Sequence, residues 1–306
     1  MLGYAIRRLL SMIPLLWAVA TITFLLMHNV PGGPFERGER PLPPATLVAL
    51  ERKYDLDGSL ADQYLSFLGN LATGDFGLSI AQNRPVSQIF QTKYPTTLQL
   101  GLCAFAFALV VGLVLGVLAA VNQNGFLDYL SVTIATAGVA VPSFVMAVFL
   151  VLIFSLELGW FDVIGWEFGN YRKMVLPSVS LGLLPAAYIA RVTRASMLET
   201  LRQDYVRTAR AKGLVERQVV IRHAARNAMI PILTLLGPIL AGLITGSFII
   251  EHTFAIGGIG KEFVVSIGNR DYGLIMGTVL LYAFLIAFMN LLVDLAYGIA
   301  DPRVRF

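Results

Sequence analysis

Residues 96–127 read TTLQLGLCAFAFALVVGLVLGVLAAVNQNGFL, and the run contains no Asp, Glu, Lys or Arg. A hydrocarbon core of about 30 Å is crossed by about 20 helical residues, so this stretch is long enough to span one. A strand would leave its backbone groups unpaired in lipid, which makes helix the expected state. Five more windows without those four residue types lie along the chain: Leu9–Val30, Tyr129–Leu156, Met174–Ala190, Asn227–Ile250 and Tyr272–Val293. The window at Met174 is short and carries Pro177 and Pro185. Composition agrees with a membrane protein. Of 306 residues, 57% are hydrophobic and 14% are charged, against about 25% charged in a typical soluble domain. The expected fold is all-α and polytopic, with six transmembrane helices and a small helical extracytoplasmic insertion after the first span.

Arg7 and Arg8 precede the first window as they would a secretory signal. Its apolar stretch is too long for an h-region, and no small-x-small cleavage site follows before Pro31, so it reads as an uncleaved span. Orientation follows from Lys and Arg in the connecting segments. The 191–226 segment holds Arg191, Arg194, Arg202, Arg207, Arg210, Lys212, Arg217, Arg222 and Arg226 against Glu199, Asp204 and Glu216. With six spans it shares a side with Arg7, Arg8, Arg303 and Arg305, which places both termini in the cytoplasm. The 251–271 loop, with Lys261 and Arg270 against three acids, falls on the other side. The expected organisation is a cytoplasmic N-terminus (1–8), a first span (9–30), an extracytoplasmic segment (31–95), a transmembrane core (96–300) and a cytoplasmic tail (301–306).

Within 31–95, Leu47/Leu50/Tyr54, Leu60/Tyr64/Leu68/Leu71 and Val86/Ile89/Phe90 recur at helical spacing. Ser59 with Asp62 resembles a capping box, and Gly74 can end a helix. These features predict a small helical subdomain resting on the membrane surface. Asp75-Phe76-Gly77 is a kinase string by chance, since no catalytic loop or Gly-rich ATP strand accompanies it.

Gly112-x-x-x-Gly116, Gly242-x-x-x-Gly246 and Gly273-x-x-x-Gly277 each place two glycines on one helical face, a pattern read here as close helix packing in lipid. Pro142, Pro185, Pro231 and Pro238 read as ordinary bends within or near the spans. Among ionisable groups, only His28, Glu157 and Asp294 come near a span. Ion-coupled carriers place such groups at mid-membrane, so energy for transport is expected from outside this chain. Gly260-Lys261 lacks the first glycine of a P-loop, and Gly257-Gly258-Ile259-Gly260 reads as a turn. Metalloprotease and hydrolase strings are missing, and the single cysteine, Cys103, reads as a packing residue.

The most informative stretch is Asp204-Tyr205-Val206-Arg207-Thr208-Ala209-Arg210-Ala211-Lys212-Gly213-Leu214. Small alanines precede a glycine able to adopt positive φ and end a short helix. A second amphipathic helix over Val215–Arg226 follows, giving a knob that fits a partner's groove. Contact with anionic lipid accounts for part of its charge. One aromatic residue, Tyr205, is too few for nucleic-acid stacking.

Tyr205–Leu214, followed by Arg222-His223-Ala224-Ala225-Arg226-Asn227-Ala228-Met229-Ile230-Pro231, resembles the "EAA"-type loop of ABC importer permeases of the oligopeptide, dipeptide and nickel class. Further matches are Pro31-Gly32-Gly33-Pro34, Gly74-Asp75-Phe76-Gly77-Leu78-Ser79, Pro142-Ser143-Phe144, Glu251-x-x-Phe254 with Gly257-Gly258-x-Gly260, Arg270-Asp271-Tyr272 and Asp301-Pro302-Arg303. The leading Glu of the general motif is replaced, with Arg207 nearest that position. The resemblance implies the fold of a type I importer permease, with no catalytic residues, cofactor or metal of its own. It implies Tyr205, Thr208, Ala209, Arg210, Ala211, Lys212, Gly213 and Leu214 as the ATPase-coupling residues. It implies a second homologous permease as heterodimer partner, two cytoplasmic ATPase subunits holding Mg-ATP, and an extracytoplasmic peptide-binding protein facing the residues after Pro31 and around Glu251–Lys261. The implied location is a bacterial inner membrane. The solute is left open between oligopeptides, dipeptides, nickel and other small solutes. A self-sufficient secondary transporter and a non-transporting scaffold are the competing functions.

Overall fold

The computed structural model describes residues 2–29, 33, 35, 43–54 and 56–300. The chain is helical almost throughout. Helix α1 (Leu2–Asn29) is followed by α2 (Pro44–Lys53), α3 (Leu60–Ala72) and a two-residue hairpin, β1 (Leu78–Ser79) with β2 (Arg84–Pro85). Next come α4 (Val86–Val121), α5 (Phe126–Ala140), α6 (Ser143–Leu150) with a π-helical continuation over Val151–Glu157, and α7 (Tyr171–Leu201). The remaining elements are α8 (Asp204–Ala211), α9 (Glu216–Gln218), a π-helical stretch (Val219–Ala225), α10 (Arg226–Ile244), α11 (Phe248–Thr253), α12 (Ile259–Gly268) and α13 (Tyr272–Ala300).

Five single helices are long and apolar enough to span: Ile6–Asn29, Val86–Val121, Tyr171–Leu201, Glu216–Ile244 and Tyr272–Val293. The sixth span is broken, because α5 and α6 meet at a bend of 110°. Its two ends lie at opposite ends of the bundle. Asp128 near the start of α5 meets Arg194 near the end of α7. Ala147 of α6 packs with Leu100, Leu176, Ile250 and Phe254 at the other end. The pair therefore crosses once, and six spans stand.

Pro142 causes that break, and ordinary bending does not describe it. A residue before proline is pushed out of the α region. Val141 accordingly sits at φ −93°, ψ 122°, and Pro142 opens the next helix. Pro177 and Pro185 behave differently, since α7 runs through both for 31 residues.

Several boundaries shift from the uncharged windows, because a helix continues past the bilayer where water can solvate its charges. Val86, Ile89 and Phe90 belong to α4 rather than to the insertion, so the expected boundary at 95/96 falls inside a helix of 36 residues. At about 1.5 Å per residue, α4 is far longer than the hydrocarbon core. Arg191, Arg194 and Glu199 likewise lie on α7, leaving 202–215 as the true connection.

The insertion is pinned to α1. Phe24, 2% exposed, packs on Tyr64 and Phe67 of α3. Thr21 Oγ1 and Tyr64 Oη are 2.6 Å apart, and His28 Nε2 lies 3.0 Å from Gln63 Oε1. The capping expectation is met: Ser59 Oγ accepts from the Asp62 N–H at 3.2 Å, and Gly74 follows the helix end at φ +81°. Asp75 also has a local role, accepting from the Gly77 N–H at 2.8 Å.

Helices α4 and α7 form the centre. A Cβ on Gly116 would lie 2.5 Å from Thr193 Cβ and 2.7 Å from the Ala190 carbonyl, and one on Gly112 would lie 2.7 Å from Ile189 Cβ. Small residues thus bring the two backbones together, as expected for packing in lipid. Gly277 similarly abuts Val86. The Gly242-x-x-x-Gly246 motif is no helix-packing face. A Cβ on Gly242 would meet nothing within 4 Å, and Gly246 sits beyond the helix end at φ +92°. Gly116→Val should lower the detergent-solubilised protein's thermal stability by about 1–3 kcal/mol, the usual cost of overpacking. Gly242→Ala should leave the unfolding midpoint unchanged.

Candidate functional site

At the cytoplasm-assigned end, α4, α7 and the π-helical stretch meet through Ala120, Met197, Val220, Ala224 and Ala228. Below them α8 forms the knob. Gln203, at φ −71° and ψ 149°, leads into α8, and Gly213 at φ +78° turns the chain after it. The second half differs from the expected separate helix. Residues 216–225 run directly into α10, so the knob is one short helix packed on the root of the fifth span.

The eight residues singled out by sequence divide by direction. Tyr205, Thr208, Arg210, Ala211, Lys212 and Gly213 are exposed. Ala209, 5% exposed, turns inward with Val206 against Val219, and half-buried Leu214 packs on the same cluster. Arg210 forms a fork with Glu216, with Nη2–Oε1 at 2.6 Å and Nε–Oε2 at 3.1 Å. Tyr205 Oη accepts from Asn227 Nδ2 at 2.7 Å. Arg207 reaches Asp204 at 3.6 Å, with both side chains largely exposed, a geometry worth little energetically. The outward surface is therefore short, basic and rigidly backed.

Asp128 accepts from Arg194 Nε at 2.6 Å and Nη2 at 2.8 Å, and also from the Asn124 N–H. This bidentate, charge-assisted geometry ties the broken span to α7 at the same end.

The opposite end holds a feature that sequence reading missed. Each acid of the 251–271 loop reaches back to the 79–97 segment. Asp271, fully buried, accepts from Ser79 Oγ, from the Ile80 N–H at 3.0 Å and from the Ala81 N–H at 3.2 Å. It also caps α13 through the Leu274 N–H. Glu262 accepts from Gln82 Nε2 at 2.7 Å and faces Lys93 at 3.5 Å. Glu251, 0% exposed, accepts from Thr97 Oγ1 at 2.9 Å and from the Lys261 N–H at 2.7 Å. Thr97 Oγ1 in turn accepts from the Ile259 N–H.

The glycine run does more than turn. A Cβ on Gly258 would fall 2.5 Å from Glu251 Cδ, so the loop cradles this carboxylate where a phosphate loop would cradle its ligand. Burial pushes the Glu251 carboxyl above its ordinary value, while the Lys261 N–H and Thr97 hydroxyl pull it down. The region around Glu251–Lys261, implied to face a binding protein, turns most of its residues inward. Glu251, Phe254, Ile256, Gly258, Ile259 and Gly260 are buried, and only His252, Ala255 and Gly257 are exposed. The charge count 251–271 flagged three acids, but their partners lie 154 to 192 residues away and only the fold supplies them. Of the quoted motifs, Pro31, Gly32, Pro34 and 301–303 lie outside the described residues.

Residues 112–306 match the family described as the binding-protein-dependent transport system inner membrane component, and residues 1–101 match its N-terminal membrane component. The chain belongs to this family. The permease is 44% identical to the dipeptide transport system permease protein DppB of Bacillus subtilis (strain 168), over 100% of this chain and 98% of the relative. It is 42% identical to the oligopeptide transport system permease protein OppB of Escherichia coli (strain K12) and 39% identical to the glutathione transport system permease protein GsiC of Shigella flexneri, both over the full length of each chain. Among solved structures, the MetNI methionine ABC transporter superimposes with a TM-score of 0.59 at 20% identity, covering 70% of this chain and 97% of that one. That likeness shows the fold alone.

The protein is thus a multi-pass transport subunit of an ABC importer and not an enzyme, and membership implies ATPase and binding-protein partners. The N-terminal match ends inside α4, so the outer clasp joins the two matched segments. Asp271→Ala leaves the donors at 79, 80, 81 and 274 without their acceptor. It should cost about 2–4 kcal/mol, read as a lowered unfolding midpoint of the purified permease.

Proposed function

We propose that this permease imports short peptides, forming half of the translocation path with a second homologous permease in a bacterial inner membrane. Two cytoplasmic ATPases carry Mg-ATP, and an extracytoplasmic binding protein delivers the peptide. What carries the substrate class is the full-length similarity to relatives named for dipeptide, oligopeptide and glutathione transport. Glutathione is itself a small peptide.

The coupling role falls to the knob. Thr208, Ala211, Lys212 and Gly213 are exposed on a helix whose other face is fastened to the fifth span. A short rigid helix end fits a groove on a partner without a large ordering cost. The ATPases, closing on nucleotide, move the knob and shift the spans between inward- and outward-facing states. Both termini and the knob lie in the cytoplasm in this reading, in keeping with the basic residues of α8 and its flanks. The break at Pro142 and the π-helical stretches are the irregular elements on which such motion turns.

The test is reconstitution with the permease's ATPase and binding-protein partners. ATP-dependent uptake of a labelled di- or tripeptide is the expected result, and gradient-driven uptake by the permease alone would overturn it. Gly213→Asp, which puts a side chain at φ +78°, should abolish stimulated ATP hydrolysis and uptake together, as should deletion of 209–214. Retention of both activities in these variants would remove the docking role. Transport of nickel in place of peptide would overturn the substrate class.

A further inference from the structure

The knob touches two spans, and its attachments to them are unequal. To the fourth span it is joined by Arg202 and Gln203 in the chain and by Leu201, the α7 side chain in the knob cluster among the described residues. To the fifth span it makes three separate attachments. Val206 and Ala209 bury themselves against Val219. Arg210 forks onto Glu216. Tyr205 Oη takes the Asn227 amide proton at 2.7 Å.

The geometry of these contacts is that of a clamp. Residues 205, 206, 209 and 210 line one face of α8, as spacings of three and four require. Their partners bracket the π-helical stretch, with Glu216 before it, Val219 at its first position and Asn227 just after it. Ala209 is 5% exposed and packs in the same cluster as Val219. A larger side chain there would drive α8 off Val219.

We propose that the knob drives the fifth span and not the fourth, with Tyr205, Ala209 and Arg210 as positioning residues that fasten it there. This rests on the docking role proposed above and divides its residues. Thr208, Ala211 and Lys212 meet the ATPase, whereas Ala209 and Arg210 transmit the movement. The two alanines of the stretch therefore have opposite duties.

The experiment uses the reconstituted complex with two readouts. One is the amount of ATPase retained on the affinity-purified permease, and the other is binding-protein-stimulated ATP hydrolysis. Ala209→Leu should retain the ATPases but lose stimulation, and adding Val219→Ala should restore it by returning the volume. Arg210→Glu and Glu216→Arg should each lower stimulation by about two- to fivefold, the reach of a partly exposed ion pair. The exchange R210E/E216R should recover it. Insertion of Gly-Ser after Arg202 loosens only the link to the fourth span and should leave stimulation intact.

Failure of both paired variants to improve on their single parents would overturn the proposal. Loss of stimulation on the insertion would overturn it as well. The docking reading fails by a different sign, namely full coupling in Gly213→Asp. The two outcomes are therefore separable.

Discussion

A backbone N–H or C=O without a partner costs several kcal/mol in hydrocarbon, and that constraint sets the rest of this structure. Every long uncharged segment becomes a helix, and helices that attract no neighbour by hydrophobicity must approach closely to hold together. The permease does so at α4 and α7, where Gly112 and Gly116 lie against Ile189 and Thr193. Irregular backbone is confined to places where protein covers it or where the chain reaches the bilayer edge. The break at 141–142 lies within a span, where Pro142 pushes Val141 out of the helical region.

Polar work is consequently done at the two ends. At the outer end, Glu251, Glu262 and Asp271 fasten the last loop to the hairpin and to the start of α4. Buried carboxylates are expensive unless every lone pair finds a donor, and here backbone amides and hydroxyls supply them. At the inner end, the Asp128–Arg194 fork ties the broken span to α7, Ser196 and Met197 tie the fifth span to α7, and the knob fastens onto the fifth span. The outer clasp is rigid and closed, while the inner knob keeps one face open.

The candidate site was legible in part. Alanines followed by glycine marked a short helix and its end, and α8 with Gly213 is that element. The direction each residue faces was not legible. Ala209 and Ala211 are two positions apart in a helix and so point about 200° apart, but which one turns inward depends on where Val219 lies. The supposed second helix could not be told from the root of the fifth span, because Val215–Arg226 is amphipathic in either setting. The burial of most of Glu251–Lys261 was not legible for a comparable reason. The segment's glycines and acid are typical of an exposed loop, whereas here the glycines make room for the carboxylate.

Hydrophobic patterning determined the membrane class and the six crossings. Those properties follow from transfer of each segment between water and lipid, which depends on local composition alone. Tertiary structure decided the break at Pro142 as a real change of direction, the partners of Glu251 and Asp271, and the inward turn of Ala209. Apart from the break, which is local, each of these is a contact between separate segments of the chain. Its energy exists only once packing has removed the groups from water and brought their partners within hydrogen-bonding or van der Waals range.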